Sequence, residues 1–222
     1  SEVLVHFSPD YCATSVAFDT TRKAAAIADS LAGQPMRGIR IEAPAPVTRD
    51  QLLRVHDAAY VDAVLSGTPR ELALSNQLPG WDEGLAAAVC ASTGGAVAAA
   101  MHALEHRTIA GSLSSGLHHA RRASGWGYCT FNGLALAATT AIDAGATRVL
   151  IIDFDAHCGG GTADLLAEVP QAEQIDVSVD PFDYYGTTDR ARLTLTDGPN
   201  YLTAVEEAVS YTHLRAHETG RN

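Results

Sequence analysis

The sequence is poor in cysteine and in basic residues. Its four cysteines, Cys12, Cys90, Cys129 and Cys158, lie far apart and form no C-x-x-C pair. This spacing favours neither a disulfide framework nor a zinc knuckle, and it is typical of a protein from a reducing cytoplasm. The chain has 15 basic against 26 acidic residues and a formal net charge of -11. That balance disfavours direct binding to nucleic acid.

Internal repeats, heptad patterns and low-complexity tracts are also absent. The first residues show no basic segment followed by an apolar one, so we expect no signal peptide. The stretch nearest to a membrane span, Leu85 to Leu104, is alanine-rich and contains Ser92, Gly94 and His102. We interpret it as a buried helix of small residues, and we expect no membrane partner. The length of 222 residues, 46% of them hydrophobic, indicates one globular α/β domain.

Strand-like and helix-like segments alternate along the chain. The pattern predicts strands at residues 3–7, 108–113, 148–154 and 175–179. It predicts helices at residues 20–31, 82–106 and 131–145, a capped helix that begins at Thr48 and continues to about residue 61, and a loop at residues 69–81. Alternation of this kind indicates a parallel sheet covered on both sides, with ligands at the carboxyl ends of the strands.

One stretch concentrates polar side chains at such a strand end. It reads V-L-I-I-D-F-D-A-H-C-G-G-G-T and runs from Val149 to Thr162. Alternate side chains of a strand share a face, so we expect Asp153, Asp155 and His157 to project together. Neighbouring buried carboxylates are costly unless a cation neutralises them, and carboxylates with imidazole suit zinc or iron. The three glycines let the backbone turn sharply. The alternative is a capping and salt-bridge cluster without metal.

A second polar feature is the pair His118–His119. It follows a predicted strand and the turn signal S-S-G, so we place it in a loop. Two adjacent imidazoles can serve as general base and general acid for a metal-bound water. An isolated pair is more often incidental, and the downstream D-F-D-A-H stretch is what favours a functional role.

Together these segments resemble a known family. The runs G-L-H-H-A-R-R-A-S-G-W-G-Y-C-T-F-N-G and I-D-F-D-A-H-C-G-G-G-T are similar to the zinc-dependent histone deacetylase family, which includes acetylpolyamine amidohydrolases. Weaker patches occur in family order: F-S-P-D-Y, V-H-D-A-A-Y-V, L-P-G-W-D-E-G and I-D-V-S-V-D. The resemblance covers roughly residues 3–209. It implies a three-layer αβα fold with a mainly parallel central sheet, of the arginase/deacetylase kind.

The resemblance also implies metal ligands. Asp155 and His157 would hold a catalytic zinc ion, and Asp153 would orient His118 as a supporting carboxylate. A structural potassium ion would lie near Asp153, Asp155, His157 and Ser178.

The remaining implied roles concern proton transfer and substrate. His118 and His119 would pass protons between the metal-bound water and the leaving amine. Gly127 and Tyr128 would line a narrow channel, with Tyr185 as its opposite wall, because aromatic faces desolvate an alkyl stem. The implied reaction removes acetyl or another acyl group from lysine or a small amine.

The chain departs from the family pattern in its C-terminal part. Neither a third aspartate ligand nor a glycine-rich loop with an oxyanion-stabilising tyrosine is found, so residues 1–209 are interpreted as an incomplete catalytic domain. Asp180, Asp183 and Asp197 are substitute ligands only in principle. Residues 210–222 show no apolar periodicity, and we expect a non-native tail that continues no earlier element.

Two further differences from the family pattern lie within the stretch from Val149 to Thr162. Cys158 stands where a second histidine is common, and we interpret it as an inert buried thiol rather than a ligand. Gly160 stands where an acidic residue or asparagine often braces the second histidine of the pair, so His119 is expected to lack that partner.

Three functions remain open at this point. The first is an amide hydrolase of the deacetylase class. The second is a catalytically silent protein that binds acylated amines. The third is a dimanganese ureohydrolase of the arginase kind, which the single D-x-D-x-H stretch disfavours. The sequence predicts no oligomeric state.

Overall fold

The computed structural model describes residues 2–16 and 18–219, and within it the chain divides into two compact units. Unit 1 comprises residues 1–147 and unit 2 comprises residues 148–222. Each unit contains one three-stranded parallel sheet together with helices, so the fold is α/β, as the sequence predicts.

Unit 1 is built on a sheet in the order β2-β1-β3. Its strands are β1 (Val3–His6), β2 (Ile39–Glu42) and β3 (Ala110–Ser112). Its helices are α1 (Asp19–Gly33), α2 (Arg49–Leu52), α3 (Ala58–Ser66), α4 (Arg70–Ala73), α5 (Glu83–His106) and α6 (Gly133–Asp143). A 3₁₀ turn at Pro9–Cys12 follows β1.

Helix α5 is the long element at the centre of unit 1. Asp82 caps its start by accepting a hydrogen bond from the Leu85 amide, and the helix ends at His106, followed by Arg107 with a left-handed backbone. The helix packs against α6 and β3. A Cβ atom at Gly94 would lie 2.2 Å from the Ala45 carbonyl oxygen, so this close packing requires a small residue. Among the described residues it is the one helix long and apolar enough to cross a membrane. Half of its most apolar 18-residue stretch (50%) is buried in the fold.

Unit 2 is built on a sheet in the order β4-β5-β6. Its strands are β4 (Val149–Asp153), β5 (Ala172–Ser178) and β6 (Ala191–Leu195), and its helices are α7 (Gly160–Leu166) and α8 (Tyr201–Thr219). Within this unit β5 is the central strand and is mostly buried. Strand β4 buries Ile151 and Asp153 on one face and leaves Leu150 and Ile152 partly exposed on the other.

Several predicted elements differ from the structure. The helix expected from Thr48 to about residue 61 is wrong as one element, because turns at residues 53–56 separate α2 from α3. The loop expected at residues 69–81 contains the short helix α4. Strands β2 and β6 and helices α7 and α8 were not predicted.

The C-terminal segment also differs. Helix α8 continues to Thr219, so the expectation that residues from 210 onward continue no element is wrong. The stretch contains alanine, leucine, arginine and glutamate, which have high helix propensity. Residues 220–222 lie outside the described part of the chain, and the boundary of a catalytic domain near residue 209 stays a prediction.

Candidate functional site

The residues that the sequence singled out fall in both units. His118, His119, Gly127 and Tyr128 belong to unit 1, whereas the D-F-D-A-H stretch, Ser178 and Tyr185 belong to unit 2. Each group has its own local geometry.

The histidine pair of unit 1 is buried. His118 and His119 are only 7% and 4% exposed, in the loop that leaves β3. Their Nε2 atoms lie 3.1 Å apart and their ring centroids 4.0 Å apart. A hydrogen bond at this distance needs one ring to donate and the other to accept, so the two imidazoles share one bridging proton. The preceding Leu117 has a φ of 58°, a left-handed conformation that turns the chain sharply.

Asn132 fixes the loop that carries the pair. Its side-chain oxygen caps α6 by accepting from the Ala135 amide, and its nitrogen donates to the carbonyl oxygens of His118 and Ala120. Asn132 is fully buried. The start of α6 and the histidine loop are therefore tied through one side chain. Asn132 was not among the predicted site residues; the helix predicted from residue 131 begins at Gly133 in the structure, and asparagine is a favoured residue at the N-cap position before it.

His56 is a third buried histidine in unit 1. Its Nδ1 lies 2.8 Å from the Arg121 carbonyl oxygen, and its Nε2 accepts a hydrogen bond from the Asn132 amide at 3.1 Å. This arrangement places the single proton of the neutral ring on Nδ1. Burial lowers the pKa of His56 to about 4. His56 therefore acts as a neutral structural bridge beside the histidine loop.

The Gly127–Tyr128 segment has an uncommon backbone. Gly127 and Tyr128 have φ values of 51° and 64°, so a non-glycine residue sits in the left-handed region. The turn at Asn76 and Gln77 holds them, because the Tyr128 amide donates to the Asn76 carbonyl at 2.8 Å and the Gly127 amide to Gln77 Oε1 at 3.1 Å. This support keeps the Tyr128 ring at the surface, 42% exposed.

Two features adjoin Tyr128. Its ring contacts Phe18 with centroids 4.2 Å apart. Tyr128 also lines a cavity of about 30 Å³, together with Leu117, Ser115 and other residues. The Ser115 hydroxyl is buried without a hydrogen-bond partner. The cavity is large enough to hold a water molecule.

In unit 2 the D-F-D-A-H stretch brings a carboxylate oxygen and an imidazole nitrogen together. His157 Nδ1 lies 3.0 Å from Asp155 Oδ1, and both side chains are about half exposed. Two ligands on one tetrahedral zinc, each about 2.0–2.1 Å from the metal, lie about 3.3 Å apart. The 3.0 Å separation of Asp155 Oδ1 and His157 Nδ1 is that of a hydrogen bond, and it is also close to the spacing of two ligands on one ion.

The reason for this closeness differs from the expected one. Strand β4 ends at Asp153, so strand alternation does not place the later residues. Instead the Asp155 amide donates to Asp153 Oδ1 at 3.0 Å, and the His157 amide donates to Asp155 Oδ1 at 2.9 Å. In two successive turns an aspartate thus accepts a hydrogen bond from the amide two residues later. These turns place the side chains of Asp155 and His157 beside one another.

Buried carboxylates lie next to this pair. Asp153 is 6% exposed and Asp176 on β5 is fully buried. A Cβ at Gly159 would lie 2.8 Å from Asp153 Oδ2 and 3.2 Å from Asp176 Oδ2, so both carboxylates converge on the three glycines at residues 159–161, which we call the glycine turn. The Gly159 amide and Gln174 donate to Asp176. Sequence reasoning missed Asp176, which strand alternation places on the same face as Ser178.

Ser178 stands among oxygen atoms. Its hydroxyl lies 2.6 Å from Asp176 Oδ1 and 3.1 Å from the His157 carbonyl oxygen. A hydroxyl has one proton to donate, so these acceptors compete for it. Buried oxygens in such a cluster suit a hard cation, as hard cations take carboxylate, hydroxyl and carbonyl ligands.

The three aspartates named as substitute ligands only in principle accept backbone hydrogen bonds. Asp180 Oδ1 accepts from the Phe182 amide, Asp183 Oδ2 from the Gly161 amide, and Asp197 Oδ1 from the Asn200 amide. Among residues 2–16 and 18–219, no group of three or more His, Cys, Asp or Glu side chains is arranged to hold a metal ion. The described residues thus supply a two-residue donor set.

Cys158 and Tyr185 are the remaining residues of unit 2 for which the sequence predicts a role. Cys158 is buried, its thiol donates to the Asp180 carbonyl oxygen at 3.3 Å, and burial raises its pKa. These properties favour the inert thiol over a ligand. Tyr185 is half-buried, and burial together with Asp176 and Asp153 raises its pKa. Its hydroxyl lies 3.4 Å from the Arg192 carbonyl oxygen.

Comparison with known proteins identifies the family. The histone deacetylase domain family matches residues 6–212, so the chain belongs to that family. Histone deacetylase 8 of Arabidopsis thaliana is 34% identical over 128 residues, which cover 54% of this chain and 33% of that protein. The chain thus spans about a third of the length of this relative.

Solved structures agree with the fold class. The HDA15 HD domain superposes with a TM-score of 0.66 at 26% identity, covering 80% of this chain and 55% of that one. An acetylpolyamine aminohydrolase from Burkholderia pseudomallei superposes with a TM-score of 0.74 at 18% identity, covering 97% of this chain and 79% of that one. These similarities confirm the predicted α/β, arginase/deacetylase-like fold.

Proposed function

We propose that the chain carries the catalytic centre of a zinc-dependent amide hydrolase that removes acetyl or another acyl group from lysine or a small amine. Membership of the histone deacetylase domain family supports this reaction class. The observation that carries the proposal is the 3.0 Å separation of His157 Nδ1 and Asp155 Oδ1.

In this proposal Asp155 and His157 hold the zinc ion. Their partial exposure lets an ion and a substrate reach them, whereas the buried Asp153 accepts the Asp155 amide and keeps the turn closed. When bound, zinc would lower the pKa of a water to about 7 and polarise an acyl carbonyl.

His118 and His119 transfer the protons. The bridging hydrogen bond between their Nε2 atoms means that one ring is poised to accept while the other donates. Hydrolysis of an amide needs both actions, because water must lose a proton and the leaving amine must gain one. Burial of the pair excludes bulk water from competing for those protons.

Gly127, Tyr128 and Tyr185 are proposed to contact the alkyl stem of the substrate. The left-handed backbone at Tyr128 presents an aromatic ring at the surface, a suitable partner for methylene groups. A net charge of -11 favours amines over anionic ligands as partners.

A structural potassium ion is proposed near Asp153, Asp155, His157 and Ser178. Support comes from the oxygen cluster at Ser178 and from the two buried carboxylates, Asp153 and Asp176, whose charges a cation would offset. The described cysteines are free thiols, which suits the proposed cytoplasmic location.

The experiment combines metal analysis with turnover. Purified protein is analysed for zinc and assayed for release of a fluorophore from an acetyl-lysine amide, with and without a hydroxamate chelator. Zinc near one equivalent and chelator-sensitive turnover support the proposal. Absence of bound zinc at saturating metal refutes it.

A second candidate is a silent protein that binds acylated amines. The two-residue donor set of the described residues favours it, because catalytic zinc usually has three protein ligands. Zinc binding without turnover in the same assay would select this function. Two manganese ions with urea release would instead select a ureohydrolase.

A further inference from the structure

Residues 179–183 of unit 2, which we call the clamp segment, run beside the glycine turn. The amides of Val179 and Asp180 donate to the Ala156 carbonyl oxygen at 2.9 and 2.8 Å. On the other side of the metal histidine, the Cys158 amide donates to the Phe182 carbonyl oxygen at 3.0 Å. The backbone of His157 is therefore held by the clamp segment both before and after this residue.

The clamp segment also touches the imidazole itself. The rings of Phe182 and His157 meet edge to face, with centroids 5.9 Å apart and planes at 82°. The edge-to-face arrangement is one that aromatic rings prefer. The ring of Phe182 thus favours one orientation of the His157 side chain.

Asp183 holds the glycine turn at its far end. Its Oδ2 atom accepts from the Gly161 amide at 3.0 Å. A Cβ at Gly160 would lie 2.4 Å from the Asp183 carbonyl oxygen and 2.6 Å from its Oδ1 atom. Asp183 therefore fills the space that any side chain at position 160 would need, which explains the glycine there. Its φ of 60° is one that aspartate tolerates better than most residues.

We propose that Phe182 and Asp183 are positioning residues for the metal-binding imidazole of His157. Phe182 sets the ring orientation and Asp183 fixes the backbone turn on which the ring stands. The inference rests on the proposed function, since it assumes that His157 binds zinc. Hydrogen-bonded neighbours that orient metal ligands affect metal affinity by about 10–100-fold when they are removed, and for the ring contact of Phe182 we expect the lower end of that range.

The first experiment measures zinc affinity by competition with a chromophoric chelator. Phe182→Ala is expected to weaken zinc binding by about tenfold and to change the visible spectrum of the Co²⁺-loaded protein. Phe182→Tyr is expected to restore both, because it keeps the ring. Tyr184→Ala is the matched control, since Tyr184 lies two residues away and is 64% exposed. Equal zinc affinity and equal Co²⁺ spectra for wild type and Phe182→Ala would overturn the role of Phe182.

The second experiment needs no metal. In the metal-free protein, Asp183→Ala is expected to increase the hydrogen-exchange rate of the Gly161 amide, whereas Asp183→Asn keeps an acceptor oxygen and is expected to preserve protection. Unchanged Gly161 exchange in Asp183→Ala overturns the clamp role. A wild-type protein that binds no zinc but shows this exchange pattern refutes the proposed function and leaves the clamp geometry intact, so the two failures are distinguishable.

Discussion

The Nε2 atoms of His118 and His119 lie 3.1 Å apart, within hydrogen-bonding distance. Because such a bond has one donor and one acceptor, full protonation of both rings would break it. The two rings therefore form one donor–acceptor unit, in which one imidazole donates and the other accepts.

Replacing one member of the pair tests its role in proton transfer. His119→Ala, made in a form of the enzyme with measurable turnover, is expected to lower kcat by about a hundredfold or more. His106→Ala is the control, because His106 is exposed at the end of α5. The rates are measured on an acetyl-lysine amide at saturating zinc. A kcat for His119→Ala equal to that of wild type would remove the proton-transfer role.

Buried His56 predicts a dependence of stability on pH. Burial lowers its pKa in the folded protein to about 4, whereas an unfolded histidine has a pKa of about 6.5. The unfolded chain therefore binds more protons between these values, so the contribution is complete above about pH 6.5 and is lost as the pH falls toward 4. The gap between the folded and unfolded pKa values of His56 corresponds to a contribution of about 3 kcal/mol to the free energy of unfolding at neutral pH.

The comparison for His56 is made with His56→Gln. Urea unfolding from pH 7 to pH 4 should show a steeper loss of unfolding free energy in wild type than in the variant, because only wild type gains this proton on unfolding. Parallel curves for the two proteins would mean that His56 is not a buried neutral histidine.

The glycine at position 160 predicts a stability difference between two alanine substitutions. Gly160→Ala places a Cβ atom 2.4 Å from the Asp183 carbonyl oxygen, whereas Gly198→Ala meets no atom within 4 Å. Overpacking of this kind costs about 1–3 kcal/mol. Urea unfolding should therefore show a lower midpoint for Gly160→Ala and little change for Gly198→Ala. Equal midpoints would contradict the close approach of Asp183 to the turn.

Much of the fold could be predicted from local pattern. A continuous apolar run predicts strand β4. The Asp82 cap and the alanine-rich composition predict helix α5. Edge strands β2 and β6 could not be predicted in this way, because polar residues interrupt the apolar ones in I-R-I-E and A-R-L-T-L and the segments are short and largely exposed. Helix α7 begins with glycines, which have low helix propensity, and forms where the clamp segment docks.

The residues of the candidate site also differ in whether local sequence pattern could predict their positions. Asp155 and His157 are two positions apart, so their closeness could be predicted from the chain, although it arises from turns rather than from strand alternation. Asp176 and Asp183 reach the glycine turn only through long-range contacts within unit 2. No local pattern contains that information.

The most direct measurement is the zinc content and zinc dissociation constant of the wild-type protein beside Asp155→Ala and His157→Ala. A shared ion between these two side chains predicts near one equivalent of zinc in wild type and a loss of binding in both variants, with unfolding transitions retained. One equivalent of zinc held with unchanged affinity in both variants would contradict the account.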